Sequence, residues 1–195
     1  MTAPRLIIAL PDHPHPADMG SRVRNRAIIE TLATSFDLTI VTLVHDPARL
    51  ADPGPVVRCG RWVPVLADHR RGFLPWAAWH LRARLAGCRE GLHPETFFQS
   101  LPALARAVEQ CVRVERPALV HAAYWYGLRR MATFPRPPLW VVDTHDVQFE
   151  RQARLWGRDS ASERAAELRE LARYDRVVAI TGRDRETLRA HLPAG

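Results

Sequence analysis

The fold is decided by an apolar run that ends in a cluster of polar side chains, Leu139-Trp140-Val141-Val142-Asp143-Thr144-His145-Asp146. A short, continuous apolar run of this kind is typical of a strand that is buried on both faces of a sheet. Similar runs recur along the chain at residues 6–10, 38–43, 63–66, 118–122 and 176–181. The sequence therefore predicts six strands.

Between these runs the apolar residues recur at helical spacing, which predicts helices that alternate with the strands. One such pattern covers residues 23–36, and another covers residues 97–112 with a break at Pro102. Capping-box patterns at Ser160/Glu163 and Thr181/Asp184 indicate two further helix starts. Because parallel strands need crossover connections, this order predicts an α/β fold: a Rossmann-like, doubly wound parallel sheet with helices on both faces.

Composition and charge exclude several classes of protein. A chain of 195 residues, 47% hydrophobic and 25% charged, is typical of one globular domain and not of a disordered segment or coiled coil. The formal charge is +7, but all 28 lysine and arginine positions are arginine, a bias typical of codon composition, so we expect no nucleic-acid partner. Three cysteines without a Cys-x-x-Cys pair argue against a zinc ribbon and favour a reducing, cytoplasmic compartment. No apolar stretch approaches the roughly 20 residues of a membrane-spanning helix.

Polar and aromatic residues directly follow three of the predicted strands. They are residues 11–22 after the first strand, Tyr124-Trp125-Tyr126 after the fourth, and residues 144–150 after the fifth. The carboxyl ends of parallel strands meet at one edge of a sheet, and ligands of open parallel sheets bind along that edge. We therefore expect any ligand site of this protein to lie there.

The loop after the first strand leads into a helix start that carries Arg22, Arg24 and Arg26. Cations oppose the dipole at the amino end of a helix, so a bound anion would explain them. Backbone N–H groups of Gly20 and Ser21, together with the guanidinium groups, would hold that anion. The alternative is that the arginines are solvated side chains of an arginine-rich chain. The sequence lacks Gly-x-Gly-x-x-Gly and a Walker lysine, the motifs of NAD-binding and P-loop proteins.

His145 and Asp146 belong to the polar cluster that ends the fifth strand. His145 can hydrogen-bond a hydroxyl or a phosphate group, and Asp146 can orient its ring. The alternative is a helix start that Asp146 caps, with an i,i+4 pair between Glu150 and Arg154, which leaves His145 unexplained.

Two further segments have alternative interpretations. The loop that holds Asp12, His13, His15 and Asp18 contains metal-ligand residue types, but it lacks ordered ligand spacing, so we predict no metal site. Residues 73–84 set Trp76 and Trp79 among arginines, which is the composition of a segment at a membrane surface. A helix packed on the core with an arginine-rich outer face is the alternative.

The order of these motifs carries a resemblance: Gly20-Ser21 with Arg22 and Arg24 after the first strand, Asp143-Thr144-His145-Asp146 after the fifth, and a sixth strand followed by an Arg183-Asp184-Arg185-Glu186 helix. Together they resemble the amino-terminal domain of family 4 glycosyltransferases of the GT-B architecture, over nearly the whole chain. In that family this domain binds the acceptor, a second domain binds a nucleotide sugar as donor, and the sugar is transferred with retention and without a bound metal.

The resemblance implies roles for five residues. Gly20 and Ser21 would approach the donor diphosphate, while Arg22, His145 and Asp146 would face a glycan or lipid-linked acceptor. It implies no cofactor beyond the nucleotide sugar, which is a substrate.

The sequence also departs from the family. Many members carry a histidine two residues beyond the position of His121, where this chain has Ala123, so the catalytic residues stay unassigned. The carboxyl-terminal donor-binding domain with its Glu-x7-Glu signature is absent from residues 1–195. We therefore expect one half of a GT-B enzyme, truncated or working with a separate donor-binding chain. It would be cytoplasmic, with a peripheral position on the inner face of the membrane as an option. The alternative is a non-catalytic Rossmann-like domain that binds a glycan, lipid or protein partner.

Overall fold

Six parallel strands form one sheet in this computed structural model, which describes residues 3–70, 72–90, 102–128, 138–157 and 161–192. The strands are β1 Arg5–Leu10, β2 Asp37–Val44, β3 Arg61–Leu66, β4 Leu119–Ala123, β5 Leu139–Asp143 and β6 Arg176–Val178. The helices are α1 Gly20–Leu32, α2 Phe73–Glu90, α3 Pro102–Glu115, α4 Gln148–Trp156, α5 Ala161–Leu171 and α6 Gly182–His191. Short 3₁₀ turns lie at Pro47–Ala51, Gly54–Arg58, Asp68–Arg70 and Trp125–Leu128.

The strand order is β3-β2-β1-β4-β5-β6, and each neighbouring pair is parallel. The chain builds outward from β1 to β3, then returns to the other side of β1 with β4. The strand order thus reverses between β1 and β4, and the crevice at the carboxyl ends of these strands is where open parallel sheets bind their ligands. The Rossmann-like fold predicted from the sequence is confirmed.

Helices cover both faces of the sheet because side chains alternate along each strand. Ile7 and Ala9 of β1 belong to the same buried cluster as Leu104 and Val108 of α3. The intervening residues of β1 pack with Ile29 of α1 in a second cluster. Helix α1 therefore covers one face of the sheet and α3 covers the other. Polar residues at the strand ends meet when their side chains lie on the same face.

The predicted elements are largely confirmed, with differences at their ends. The sixth strand stops at Val178, three residues early, because its only neighbour in the sheet, β5, pairs through Asp143 and ends there. The pattern over residues 23–36 continues beyond the end of α1 at Leu32. α3 begins at Pro102, a residue that the first turn of a helix tolerates, and the earlier part of that pattern lies outside the described residues.

Side-chain capping is confirmed at one of the two predicted helix starts. The Thr181 hydroxyl accepts a hydrogen bond from the Asp184 N–H at 3.0 Å, as the capping pattern requires. Ser160 lies outside the described residues. No helix in the described part of the chain is long and apolar enough to cross a membrane.

Candidate functional site at the carboxyl edge of the sheet

An ion pair between the half-buried Arg24 and the fully buried Asp143 joins α1 to the end of β5. The Arg24 guanidinium donates to Asp143 Oδ2 from Nε at 3.0 Å and lies 2.9 Å from it through Nη2. The Asp143 side chain is 1% exposed, and its Oδ1 also accepts from the backbone N–H of His145 at 3.3 Å. Asp143 pairs with Ala123 across β4 and β5, and Ala123 belongs to the α1-side cluster, so Arg24 reaches it from the covering helix. The pair fixes the start of the loop that carries His145.

Two buried histidines lie beside this pair. His121, on β4, is 8% exposed and His145 is 6% exposed. The Nδ1 atom of His121 and the Nε2 atom of His145 are buried and have no hydrogen-bond partner among the residues that the structure describes. Burial lowers the pKa of both imidazoles, Asp143 opposes this change, and Arg24 adds to it. Both rings are therefore neutral at pH 7, and each holds a polar atom that the protein does not satisfy.

An aromatic stack holds the His145 ring. The Tyr124 ring lies 4.2 Å from the His145 ring at 29° and 4.9 Å from the Tyr126 ring at 20°. The Tyr124 hydroxyl is hydrogen-bonded to Ser21 at the start of α1, and its backbone N–H donates to the Asp143 carbonyl at 2.8 Å. Tyr124 and His145 both adopt left-handed backbone conformations, with φ of 66° and 51°. Such conformations cost energy in residues other than glycine and cluster at ligand-binding sites, so this stack is a candidate site on independent grounds.

The three arginines of the helix start all have carboxylate partners within the chain. Arg22 lies 2.7 Å from Asp12 and 2.8 Å from Asp18, and Arg26 pairs with Glu30 at 2.7 Å. Arg24 pairs with Asp143, as described above. These carboxylates balance the charge of the arginines, so the arginines at the start of α1 do not by themselves indicate a bound anion.

Gly20 and Ser21 form the first turn of α1. Met19, which precedes them, supplies no side-chain cap, and a Cβ atom built on Gly20 would meet none of the described residues within 4 Å. Within the described part of the chain, the start of α1 therefore has open space beside the Tyr124 hydroxyl.

Among the described contacts, Asp146 makes no hydrogen bond to the His145 ring, which the sequence suggested it could orient. Its side chain is 48% exposed and lies 4.0 Å from Arg151, whereas the carboxylate that most strongly affects His145 is Asp143. The capping alternative is wrong as well, because the residue before α4 is Val147 and makes no side-chain cap. Glu150, expected to pair with Arg154, instead accepts from the Thr187 hydroxyl at 3.0 Å.

The cap of α4 comes from another helix. Glu167 of α5 accepts from the N–H groups of Gln148 and Phe149, at 2.9 and 2.8 Å. Burial raises the pKa of Glu167 to about 7, and these two hydrogen bonds oppose the rise. Glu167 therefore anchors the far end of the His145 loop, while Asp143 anchors its beginning.

Among the metal-type residues of the first loop, Asp12 and Asp18 pair with Arg22, and the His13 ring contacts the backbone. The His13 ring lies 3.0 Å from the Asp52 carbonyl through Nε2 and 3.0 Å from the His15 N–H through Nδ1. Within the described residues, no group of three or more histidine, cysteine or acidic side chains is arranged to hold a metal ion.

The sequence interpretation missed His121 and Glu167. A histidine within an otherwise apolar strand, Leu119-Val120-His121-Ala122-Ala123, was the available signal for the first. The signal for the second was a row of glutamates at helical spacing, Glu163, Glu167 and Glu170, all of which are buried.

No protein-family model and no curated protein sequence matches the chain. Among solved structures, it is similar to a sucrose-phosphate synthase from Thermosynechococcus elongatus, with a TM-score of 0.66 and 17% sequence identity. That enzyme is a GT-B glycosyltransferase. The two share a Rossmann-like fold. The match covers 99% of this chain and 46% of the synthase, so the chain spans less than half of that enzyme's length.

Proposed function

We propose that residues 1–195 are the amino-terminal, acceptor-side domain of a retaining GT-B glycosyltransferase of the family 4 type. The observation that carries this proposal is the cluster of Arg24, His121, Asp143 and His145 at the point where the strand order reverses. Its two ring nitrogens have no hydrogen-bond partner among the described residues, so a polar ligand that bonded them would stabilise the folded protein. The fold shared with a sucrose-phosphate synthase supports a sugar as that ligand.

In this proposal the two sides of the crevice have different tasks. Gly20 and Ser21, beside open space at the start of α1, approach the donor diphosphate. Arg22, His145 and Asp146 face a glycan or lipid-linked acceptor. The Ser21–Tyr124–His145 chain of contacts supports this assignment, because it couples the helix start to the imidazole.

The donor nucleotide sugar is bound by a second domain outside these 195 residues. The 46% coverage of the synthase supports this division. The 195-residue chain by itself is therefore expected to bind acceptor saccharides without transferring sugar.

A glycan array, followed by saturation-transfer NMR on the saccharides that bind, tests the proposal. We expect binding of a defined set of saccharides and no transfer of labelled sugar from UDP-glucose or GDP-mannose by the chain alone. His145→Asn should weaken saccharide binding, whereas His191→Asn, at an exposed histidine of α6, should not. Transfer by the isolated chain, or saccharide binding that is equal in both variants, would overturn the proposal. A chain that binds only a protein or a lipid would favour the non-catalytic alternative.

We further propose that α2 attaches the protein to anionic membranes. Phe73, Leu74 and Trp76 are exposed by 76%, 78% and 44%, and Leu81 lies exposed farther along the same helix. Arg82 and Arg84 are exposed beside them. Trp79 stacks on His69 at 4.7 Å, so Trp76 is the tryptophan better placed to enter the interface. Apolar and basic residues on one exposed helix suit a surface of anionic lipid.

Co-sedimentation with phosphatidylglycerol vesicles at low and high salt tests the membrane proposal. Each arginine near an anionic surface contributes about 1 kcal/mol at low salt, so binding should fall as salt is added. A Leu74→Ser/Trp76→Ser variant should lose the part of binding that salt does not remove. Val114→Ser, at an apolar residue of α3 that is 76% exposed, is the matched control. Equal sedimentation of both variants would leave α2 as an ordinary helix of the domain.

A further inference from the structure

We propose that Glu167 is a positioning residue of the candidate site: as a carboxylate it holds the first turn of α4 and the His145 loop that leads into it, and on protonation it loosens both. The His145 loop comprises residues 144–147, between the end of β5 and the start of α4. The inference rests on the proposed function for the ligand that the site binds. It adds a dependence on pH that the proposed function does not contain.

The Glu167 side chain joins α5 to the start of α4. It is 1% exposed and accepts from the N–H groups of Gln148 and Phe149, at 2.9 and 2.8 Å. Val147, the residue before α4, makes no side-chain cap. A negative charge is favourable at the amino end of a helix, where these N–H groups lie. Glu167 therefore does for α4 what a capping residue of the same segment ordinarily does.

Protonation changes what this carboxyl group can offer α4. An ionised carboxylate only accepts hydrogen bonds, whereas the protonated group carries an O–H donor on one of its oxygens. Each Glu167 oxygen already accepts from one N–H, Oε1 from Gln148 and Oε2 from Phe149, so the proton must lie on an oxygen that is in use. One hydrogen bond weakens, and the attraction between the charge and the helix start is lost. Burial raises the pKa of Glu167 to about 7, so both forms are populated near neutral pH.

Order at the start of α4 reaches His145 because the loop between them is short and strained. His145 has a φ of 51°, which a residue other than glycine keeps only where its surroundings fix it. On one side its N–H donates to Asp143 Oδ1 at 3.3 Å, and on the other side α4 begins three residues later at Gln148. Loosening the first turn of α4 removes one of these two anchors. The His145 ring then stacks on Tyr124 for a smaller fraction of the time.

Charged groups of α5 and an indole of the neighbouring 3₁₀ turn surround the Glu167 carboxyl group. Glu163 and Glu170 lie about one helical turn before and after it, and repulsion by Glu163 adds to the rise of its pKa. Arg164, on the same helix, lies 5.3 Å from the centre of an aromatic ring of α4. Trp125, on the 3₁₀ turn, favours the ionised form, as the two N–H groups do.

The charged side chains of α4 contact other groups. Glu150 accepts from the Thr187 hydroxyl at 3.0 Å, Arg151 lies 4.0 Å from Asp146, and Arg154 is exposed to solvent. Within the described part of the chain, α4 therefore acts on Glu167 through its two backbone N–H groups.

The test follows the ligand-free native chain by NMR from about pH 5.5 to about pH 8.5. We expect the amide resonances of Gln148 and Phe149, and the ring resonances of His145, to shift together with the Glu167 carboxyl carbon. Hydrogen exchange of the two amides is compared with that of Glu167→Gln at equal pH. Above neutral pH it should be about fivefold slower in the native chain, of the order expected for one hydrogen bond. At about pH 5.5 the two chains should exchange at nearly the same rate.

Two controls accompany this comparison. The Asp184 amide, which the Thr181 hydroxyl caps at the start of α6, should exchange equally in all chains. Glu170→Gln, at another buried glutamate of α5, should keep the native dependence on pH. Amide resonances that do not follow the Glu167 carboxyl carbon would overturn the inference, as would His145 resonances with the same pH dependence in native and Glu167→Gln chains. The native titration needs no variant, so it decides the outcome even where Glu167→Gln does not fold.

Saccharide binding distinguishes positioning from a purely structural role. Because the folded pKa of Glu167 is raised, its protonation makes the folded chain more stable relative to the unfolded chain. Glucose or mannose should nevertheless bind the native chain about threefold more weakly at about pH 6 than at about pH 8, and should bind Glu167→Gln equally at both. Native affinity that rises together with stability as pH falls would contradict the inference.

The outcomes for the inference and for the proposed function are distinct. Where no saccharide binds, the proposed function fails, and the amide and His145 resonances still decide the inference. Where saccharides bind with the same affinity at both pH values, the inference fails and the proposed function stands.

Discussion

The two edges of the sheet differ in whether their buried polar groups have hydrogen-bond partners. At the amino edge, Glu115 at the end of α3 accepts from the Thr39 hydroxyl at 2.6 Å and pairs with Arg61, while its carbonyl accepts from Arg5 at 3.1 Å. At the carboxyl edge, His121 and His145 are buried beside an ion pair and keep unpaired nitrogens. The amino edge satisfies these polar groups with its own side chains, whereas two ring nitrogens at the carboxyl edge have no partner among the described residues.

This difference indicates that contacts at one edge of the sheet mainly stabilise the fold, while contacts at the other edge also position the candidate site. Glu115 connects residues of three strands and one helix, so that edge gains rigidity from several contacts of moderate strength. The carboxyl edge instead depends on few, well-buried contacts, Arg24–Asp143 and the Glu167 cap, which hold the histidines in place. Variants at the carboxyl edge should therefore change both the free energy of unfolding and saccharide binding, whereas variants at the amino edge should change only the free energy of unfolding, and by less.

The largest effect is expected for Arg24→Met. It leaves Asp143 buried and unpaired, so the free energy of unfolding should fall by about 3–5 kcal/mol. Urea denaturation measures this loss. The double variant Arg24→Met/Asp143→Leu removes both charges and should recover part of it. If the double variant is no more stable than Arg24→Met, burial of an unpaired charge is not the cause.

Next in size is a pH effect at Glu167. Its folded pKa, raised to about 7 from an ordinary value of 4.5, means that the folded chain binds this proton more tightly than the unfolded chain. The free energy of unfolding should therefore fall as pH rises between these values, by about 3 kcal/mol in total. Glu167→Gln should remove that slope, which denaturation at several pH values measures.

His121 and His145 act in the opposite direction over part of the same range. Their lowered pKa values mean that the folded chain resists protonation, so their contribution to stability is lost as pH falls below the ordinary histidine value. This contribution is the same in native and Glu167→Gln chains and cancels in their difference. Glu186→Gln, at an exposed glutamate of α6, is the control and should keep the native slope. A Glu167→Gln chain with the native slope would contradict the prediction.

A smaller effect is expected at the amino edge for Glu115→Ala. It removes the acceptor of the buried Thr39 hydroxyl and the partner of Arg61, so stability should fall by about 2 kcal/mol. Glu109→Ala, which breaks an exposed i,i+4 pair with Arg113 on the same helix, should cost less than about 0.5 kcal/mol. Saccharide binding should survive both changes. Equal losses of stability would show that the amino-edge contacts are no stronger than a surface pair.

The sequence predicted those parts of the molecule that depend on local pattern. Apolar runs placed all six strands, and the order of elements placed His145 at the carboxyl edge of the sheet, because each of these follows from neighbouring residues. Pairings that cross the sheet were not predictable in the same way. Arg24 and Asp143 are 119 positions apart, so nothing local indicates that they meet. Glu167 caps a helix that begins 19 positions earlier, whereas local reasoning offered Asp146 as the alternative source of that cap.

The smallest effect on stability is expected at Arg116, a residue in the left-handed region at the amino edge, which is compared with the left-handed Tyr124 at the carboxyl edge. Arg116, with φ of 48°, follows α3 at the amino edge and is exposed, whereas Tyr124, with φ of 66°, holds the His145 ring. Glycine relieves the left-handed strain, but it also gains freedom in the unfolded chain, so Arg116→Gly should change stability by less than about 1 kcal/mol. Its saccharide binding should equal that of the native chain.

Tyr124→Gly receives the same backbone relief, yet it removes the ring on which His145 stacks. Saccharide binding should be lost, because the freed imidazole no longer holds its nitrogen toward the ligand. Tyr124→Phe keeps the ring and gives up only the hydrogen bond to Ser21, so it should retain most of the affinity. Titration of glucose and mannose into the three variants, followed by NMR, makes the comparison. Native saccharide affinity in Tyr124→Gly would contradict the prediction. It would show that Tyr124, like Arg116, only forms a turn at the end of an element, and that its ring does not position His145.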